Sequence, residues 1–414
     1  MVAFHFPPAA ASSGIQRTLR FVQHLPSFGW QPVVLTAHAR AHERTNAALL
    51  ADVPPGVQVV PTFALDAARH LAIKGRYPGF LARPDRWRSW QYGAVSAGLR
   101  LLRSERFDAL WSTYPIATSH NIAAALHART GVPWVADFRD PMAQDGYPSD
   151  PVTWQQFKAI EQHAIEHAAR SVFTTPGAAQ MYAERYPGAA AARIAVIENG
   201  YDEETFAASQ TLPGLGEPLV PGALTLLHSG VVYPSERDPT QLIQALALLK
   251  ADAVIQPSTF RMRFRASGHD ALIARLAQDH GVSDVVELCA PVPYKEALGE
   301  MLRADALVVM QASNCNAQVP AKLYEYLRAQ RPIIALTDPV GDTAQVVQRS
   351  GIESVAPLDS APEIARLLAR FIGDAASRAR SIASSDAVAQ ASRRARTAEL
   401  AALLNALPRQ PAVG

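Results

Sequence analysis

The chain has 414 residues, of which 49% are hydrophobic and 18% charged, with a formal net charge of +2. That length exceeds one compact core, so two domains are expected, and the near-neutral charge argues against general nucleic-acid binding. Two cysteines, Cys289 and Cys315, give no disulfide framework. The opening MVAFHFPPAAASSG lacks the basic and apolar regions of a signal peptide, and no run is apolar enough to span a bilayer, so a cytoplasmic protein is expected.

In chain order, Val2 to Phe6 reads as a buried strand. A loop with Pro7, Pro8 and Gly14 follows, then a helical pattern from Ile15 to Leu25, a stop at Gly29 and a second strand, Pro32 to Thr36. This strand–loop–helix–strand unit opens a parallel α/β sheet. The pattern recurs with strands at Asp108–Thr113 and Pro133–Phe138, a helix near Trp154–Ala169, and strand-like runs at Ser171–Thr175 and Ala192–Gly200. Ser209 to Gly222 is rich in proline and glycine without period, as a linker would be. The alternation then restarts at ALTLLHSG and continues to a terminal helix within Ser392–Leu407. The expected domains are 1–208 and 223–385, with 386–414 packing back towards the first. Two doubly wound domains imply a cleft, with ligands held outside the carboxyl ends of the strands.

The stretch VPAKLYEYLRAQRPIIAL, Val319 to Leu336, begins a helix just after the strand DALVVMQ. Pro320 suits the first helical turn, and Leu323 and Leu327 mark its buried stripe. Lys322 and Glu325 share another face with Ala329. Near a helix N-terminus a lysine adds a point charge for phosphate, and Glu325 is placed to accept hydrogen bonds from ribose hydroxyls. The plainer reading is a surface ion pair. Leu226 to Leu246 repeats the geometry. There Gly230 permits close backbone approach, and Arg237 precedes the next helix, where it can pair with a diphosphate. In the first half, Asp137, Arg139 and Asp140 lie beyond a strand's carboxyl end. They suit either acceptor chemistry or an ion-pair network that holds the loop. His120 begins a helix after a strand, where it can hydrogen-bond substrate or serve structure. The twelve histidines form no HExxH pattern, so no metal or other cofactor is expected. Arginine and tryptophan recur from Arg69 to Arg106, which suits weak association with an anionic membrane surface or a lipid-diphosphate acceptor.

The order of these segments resembles the two-domain GT-B glycosyltransferases, within them glycosyltransferase family 4. Phe6 to Thr36 looks like the family's opening strand, acceptor-side loop and helix. PDRWRSW, STYPIATSH and WVADFRDP resemble a subgroup met in bacterial polysaccharide gene clusters, and VIENGYDEETF is similar to the segment leading into the interdomain linker. The resemblance implies two Rossmann-like domains facing across a cleft and a nucleotide-sugar donor. It also implies a hydroxyl acceptor on a lipid-linked glycan, transfer with retention and no metal. Arg237 and Lys322 would hold the diphosphate, Glu325 the ribose, Gly230 would sit under the phosphates, and Gly14 would lie near the transferred sugar. The chain departs from the family where the first glutamate of a pair falls at Ala317, leaving Asn316 or Gln318 to face the sugar. It departs again at Val231, where an arginine is common, at Ala11-Ser12-Ser13, where glycines are common, and at ADFRD, which replaces a histidine. Other activities open to this fold are sugar-nucleotide epimerisation or hydrolysis, and a non-catalytic nucleotide-binding subunit. The expected location is the cytoplasm, with peripheral contact to the inner face of the plasma membrane.

Overall fold

The computed structural model describes residues 1–10 and 14–408. It divides into two compact units, Met1–Glu198 with Arg393 onward, and Asn199–Ser392. In the first, parallel strands β1 (Val33–Ala37) and β2 (Gln58–Thr62) pair together. So do β3 (Leu110–Thr113), β4 (Trp134–Arg139), β5 (Arg170–Phe173) and β6 (Ile194–Val196) in that order. Val2 bridges both groups, pairing with Leu35 and Ser112. The strand expected over Val2–Phe6 is thus one bridged position, because Pro7 and Pro8 follow within a few residues and cannot donate to a ladder.

In the second unit the six strands are β7 (Leu224–Ser229), β8 (Phe260–Arg265), β9 (Val286–Cys289), β10 (Ala306–Gln311), β11 (Ile333–Thr337) and β12 (Val355–Ala356). They lie in the order β12-β11-β10-β7-β8-β9, all parallel. The strand order reverses between β7 and β10, which is where a doubly wound sheet holds its ligand.

Both faces of this sheet are buried, which is why its strands read as continuous apolar runs. Val308 and Met310 of β10 join the core under helices Thr240–Ala251 and Ala361–Gly373, while Leu307 and Val309 join the core under helix Lys322–Ala329. The N-terminal unit is layered likewise. Trp134, Phe138, Phe173 and Tyr182 fill one side, and Phe21, Trp111 and Val135 the other. Leu400, Leu404 and Leu407 complete that second side from the helix Arg393–Asn405 and the turn after it.

Residues 209–222 do not form a free linker. Arg303 donates to the carbonyls of Glu217 and Pro218, and Leu212 packs against Gly299 of helix Tyr294–Arg303. The division between units falls earlier, at Glu198 and Asn199. Among the described residues no helix is long and apolar enough to cross a membrane.

Candidate functional site

In the N-terminal unit the chain after β4 is shaped by a bulge. Asp137 pairs with Val172 and Arg139 with Phe173, so Phe138 is the extra residue. Arg139 sits at φ +61°, in the left-handed region, and such bulges re-aim side chains. Its Nη1 donates to the Gly14 carbonyl at 3.3 Å, and Thr174 Oγ1 donates to the Arg139 carbonyl at 2.6 Å. Burial pulls the Arg139 guanidinium below its usual value against the nearby carboxylates of Asp140 and Asp137. Asp140 reaches solvent.

Asp137 does not. Arg17 grips it through Nε at 3.0 Å and Nη2 at 2.9 Å, Thr113 Oγ1 adds a bond at 2.9 Å, and the carboxylate is fully enclosed. The same guanidinium donates to the carbonyls of Ile197 at 2.9 Å and Glu198 at 3.1 Å, tying helix Gly14–His24 to β4 and to the chain after β6. The expectation that Asp137 takes an acceptor proton gives way to the network reading, with Arg17 rather than Arg139 as partner. His120 is corrected in the same way. It is fully buried against Phe138 and Trp134. Ser112 Oγ accepts from Trp134 Nε1 and donates to His120 Nδ1, both at 2.8 Å, while burial holds the imidazole down to about 4. It is a neutral histidine enclosed in the core, and its Nε2 has no hydrogen-bond partner.

A second network, unseen in the sequence, supports the Asp140 loop. Glu161 is fully buried and accepts from Lys158, Arg185, Tyr182, Tyr186 and the Ala143 amide. Arg185 also donates to the Ala143 carbonyl, and the Met142 amide donates to Tyr182. The Ala11-Ser12-Ser13 segment lies outside the described residues.

In the C-terminal unit the candidate residues converge where β7 ends. Lys322 is the first residue of its helix, and its Nζ stands 3.1 Å from His228 Nε2. His228 is fully buried and held well below its ordinary pKa, first by burial and then by the Lys322 charge. Its Nδ1–H donates to the Val308 carbonyl at 2.9 Å, leaving Nε2 as the acceptor. Burial, then the charge of Arg237, pushes the Lys322 ammonium down to about 7 against the pull of Glu325.

Gly230, two residues after His228, sits at φ +108°, and a Cβ built there would stand 3.0 Å from Lys322 Nζ. The glycine therefore supplies both the backbone angle and the space for the lysine. Its own N–H is spent on the Arg265 carbonyl at 2.8 Å. Tyr326, one turn beyond Lys322, accepts from the Ser229 amide at 2.9 Å and locks the helix to the strand end. Arg237 lies over the Tyr233 ring, donates Nη1 to the Val231 carbonyl at 3.2 Å, and has a buried Nε without a partner. Two cations thus converge at one strand end, with Glu236 3.9 Å from the arginine.

Glu325 accepts from Tyr294 Oη at 2.5 Å. Asn316 donates Nδ2 to Asp338 at 2.7 Å, and its buried Oδ1 has no partner. Gln318 is held through its backbone, its amide donating to Cys315 and its carbonyl accepting from Thr343. Ala329, expected to share the face of Lys322, is buried instead. Among the described residues no group of His, Cys, Asp and Glu is placed to hold a metal.

Residues 13–200 match the family model described as a glycosyl transferase 4-like domain. That match spans nearly all of the N-terminal unit, a little under half of the chain, and marks this unit as similar to the family 4 glycosyltransferases. The chain's two units together have the GT-B fold. Anabaena HepE, solved with UDP, is similar over 98% of this chain and all of that one, at 12% identity and a TM-score of 0.69. Sucrose-phosphate synthase from Thermosynechococcus elongatus is similar over 98% of each chain, at 16% identity and a TM-score of 0.63. WaaG, a glycosyltransferase involved in lipopolysaccharide biosynthesis, is similar over 98% of this chain and all of that one, at 14% identity and a TM-score of 0.63. No curated protein matches the sequence.

Proposed function

We propose that this glycosyltransferase moves a sugar from a nucleotide-sugar to a hydroxyl of a lipid-linked glycan in bacterial surface polysaccharide synthesis, with retention. The observation that carries the reading is the convergence of Lys322 and Arg237 above Gly230 at the end of β7, with Glu325 one turn along the helix. A diphosphate supplies the anion that two cations need, and Glu325 accepts from the ribose. Anabaena HepE has been solved with UDP-glucose and with UDP and glucose, which supports a donor of this class. Lipopolysaccharide synthesis by WaaG supports the acceptor class.

The preorganised cations stabilise the departing diphosphate without a metal. The leaving phosphate itself takes the acceptor proton, so no buried nucleophile is required. On the acceptor side, Asp140 orients the hydroxyl and Arg139 fixes that carboxylate. Peripheral membrane contact is supported by Ile73 and Phe80, 79% and 61% exposed, beside the exposed Lys74 and Arg76.

Ala317 favours a second reading, a subunit that binds nucleotide without turnover. The test incubates the full chain with UDP- and GDP-sugars and a lipid-linked glycan extract, and follows nucleotide release. Release that needs the extract supports transfer. Release without it indicates hydrolysis or epimerisation, and binding with no release indicates the non-catalytic subunit.

A further inference from the structure

His228 stands on β7 where an apolar residue would be expected. Leu226 and Leu227 before it are fully buried, one in each of the cores that flank the sheet. His228 is fully buried as well, its ring centroid 6.0 Å from that of Phe264. A polar ring in such a place costs free energy unless its nitrogens are used. Both are. Nδ1 lies 2.9 Å from the Val308 carbonyl of the neighbouring strand β10. A carbonyl only accepts, so Nδ1 carries the hydrogen and Nε2 keeps its lone pair. That lone pair stands 3.1 Å from Lys322 Nζ.

The lysine is tightly placed too. The Gly230 backbone closes one side of Nζ, and the Tyr326 hydroxyl, bonded to the Ser229 amide, fixes the turn of helix that carries it. An ammonium taken out of water needs acceptors. A carboxylate would satisfy it, but would cancel its charge and repel a diphosphate. A leucine would leave an N–H unsatisfied. An imidazole lone pair satisfies one N–H and adds no charge. The other groups that face the pair are Arg237, from the loop after β7, Glu325, from the lysine's own helix, and the Gly230 backbone. Burial and then the Lys322 charge hold His228 far below its ordinary value, and Arg237 acts in the same sense. The Val308 and Gly230 backbone contacts oppose them only in part. The imidazole is therefore neutral near pH 7 and remains an acceptor.

We propose that His228 is a positioning residue of the nucleotide clamp: it accepts one hydrogen of the Lys322 ammonium through Nε2 and so turns the other two over Gly230, towards the diphosphate. The proposal rests on the clamp reading and adds to it a residue that acts on the ligand through the lysine alone.

The test is calorimetric titration of the full chain with UDP and with GDP between about pH 6 and 9. His228→Leu should weaken binding of the nucleotide that the native chain takes by roughly tenfold. It should also move the fall in affinity to lower pH, because an ammonium that has lost an acceptor gives up its proton more readily. His228→Gln, whose side-chain oxygen can accept from the lysine, should recover most of the affinity and the native pH profile. In a Lys322→Met background, His228→Leu should cost less than about twofold further. A purely structural histidine would weaken binding equally with or without the lysine and leave the pH profile in place. Either of those results overturns the proposal, as does affinity within about twofold of native in His228→Leu. In the native chain, ¹⁵N NMR should show the His228 ring as the Nδ1–H tautomer, with Nε2 shifting when nucleotide binds. A protonated ring, or an Nε2 that nucleotide leaves unmoved, overturns the proposal even where the leucine variant does not fold. A native chain that binds neither nucleotide would instead remove the clamp reading, and this role with it.

Discussion

Asp137 is enclosed and held by Arg17 and Thr113, whereas Asp140, three residues on, reaches solvent. Removing one partner of a buried ion pair costs about 3–5 kcal/mol. Asp137→Ala should therefore lower the melting temperature of the N-terminal unit by roughly 6–20 °C, read by calorimetry. Asp140→Asn should leave melting within about 2 °C and lower the transfer rate. Equal melting of the two variants would remove the distinction between a structural and a reacting carboxylate.

Lys322 makes a pH-dependent claim. Its folded pKa is depressed to about 7, below the ~10.4 of an unfolded lysine. Between those values the unfolded chain binds the extra proton, so this group's contribution to the stability of the ligand-free protein rises with pH across the window. A bound diphosphate acts in the opposite sense. It raises the lysine pKa, so binding takes up a proton and affinity falls as pH climbs above about 7. UDP affinity measured from pH 7 to 9 should decline in the native chain and stay flat in Lys322→Met. A flat profile in both would contradict the shifted lysine.

The helix Lys322–Ala329 is positioned at the end of β7 by contacts from one face. Lys322 meets His228 and Tyr326 meets Ser229. Gly230 is the point where strand and helix come closest. Gly230→Ala introduces a Cβ at φ +108° and 3.0 Å from the lysine amine. It should destabilise the C-terminal unit by about 1 kcal/mol or more and weaken UDP binding, both read from thermal melting with and without UDP.

Much of this element was legible from sequence. An apolar strand, a break and a proline before an amphipathic helix announce a strand–loop–helix unit, so Gly230, Arg237 and Lys322 could be named from one sequence alone. Their supporting partners could not. His228 is 94 residues from Lys322, and Tyr294 is 31 from Glu325. Arg17 is 120 residues from Asp137. Such pairings depend on the order of strands in the sheet, which no local pattern carries. His120 misled for the same reason, since a histidine at a helix start looks alike whether it faces solvent or a core. The 209–222 segment misled through composition, because proline and glycine describe backbone freedom and say nothing of packing against a neighbouring helix.

At the scale of the molecule, 12–16% identity to solved glycosyltransferases coexists with coverage of 98% of this chain. The alternation of buried strands and amphipathic helices fixes the fold, and many sequences satisfy it. What the fold leaves open is chemistry, and in this chain the chemistry rests on whether Lys322, Arg237 and Glu325 form a nucleotide clamp. Isothermal titration of the full chain with UDP and with GDP, repeated in Lys322→Ala and Glu325→Ala, tests that most directly. The clamp predicts saturable binding of one nucleotide, weakened about 10- to 100-fold in Lys322→Ala by loss of a charge-assisted contact. Glu325→Ala should weaken binding as well. Well-folded protein that binds neither nucleotide, or binds one equally in both variants, would contradict it.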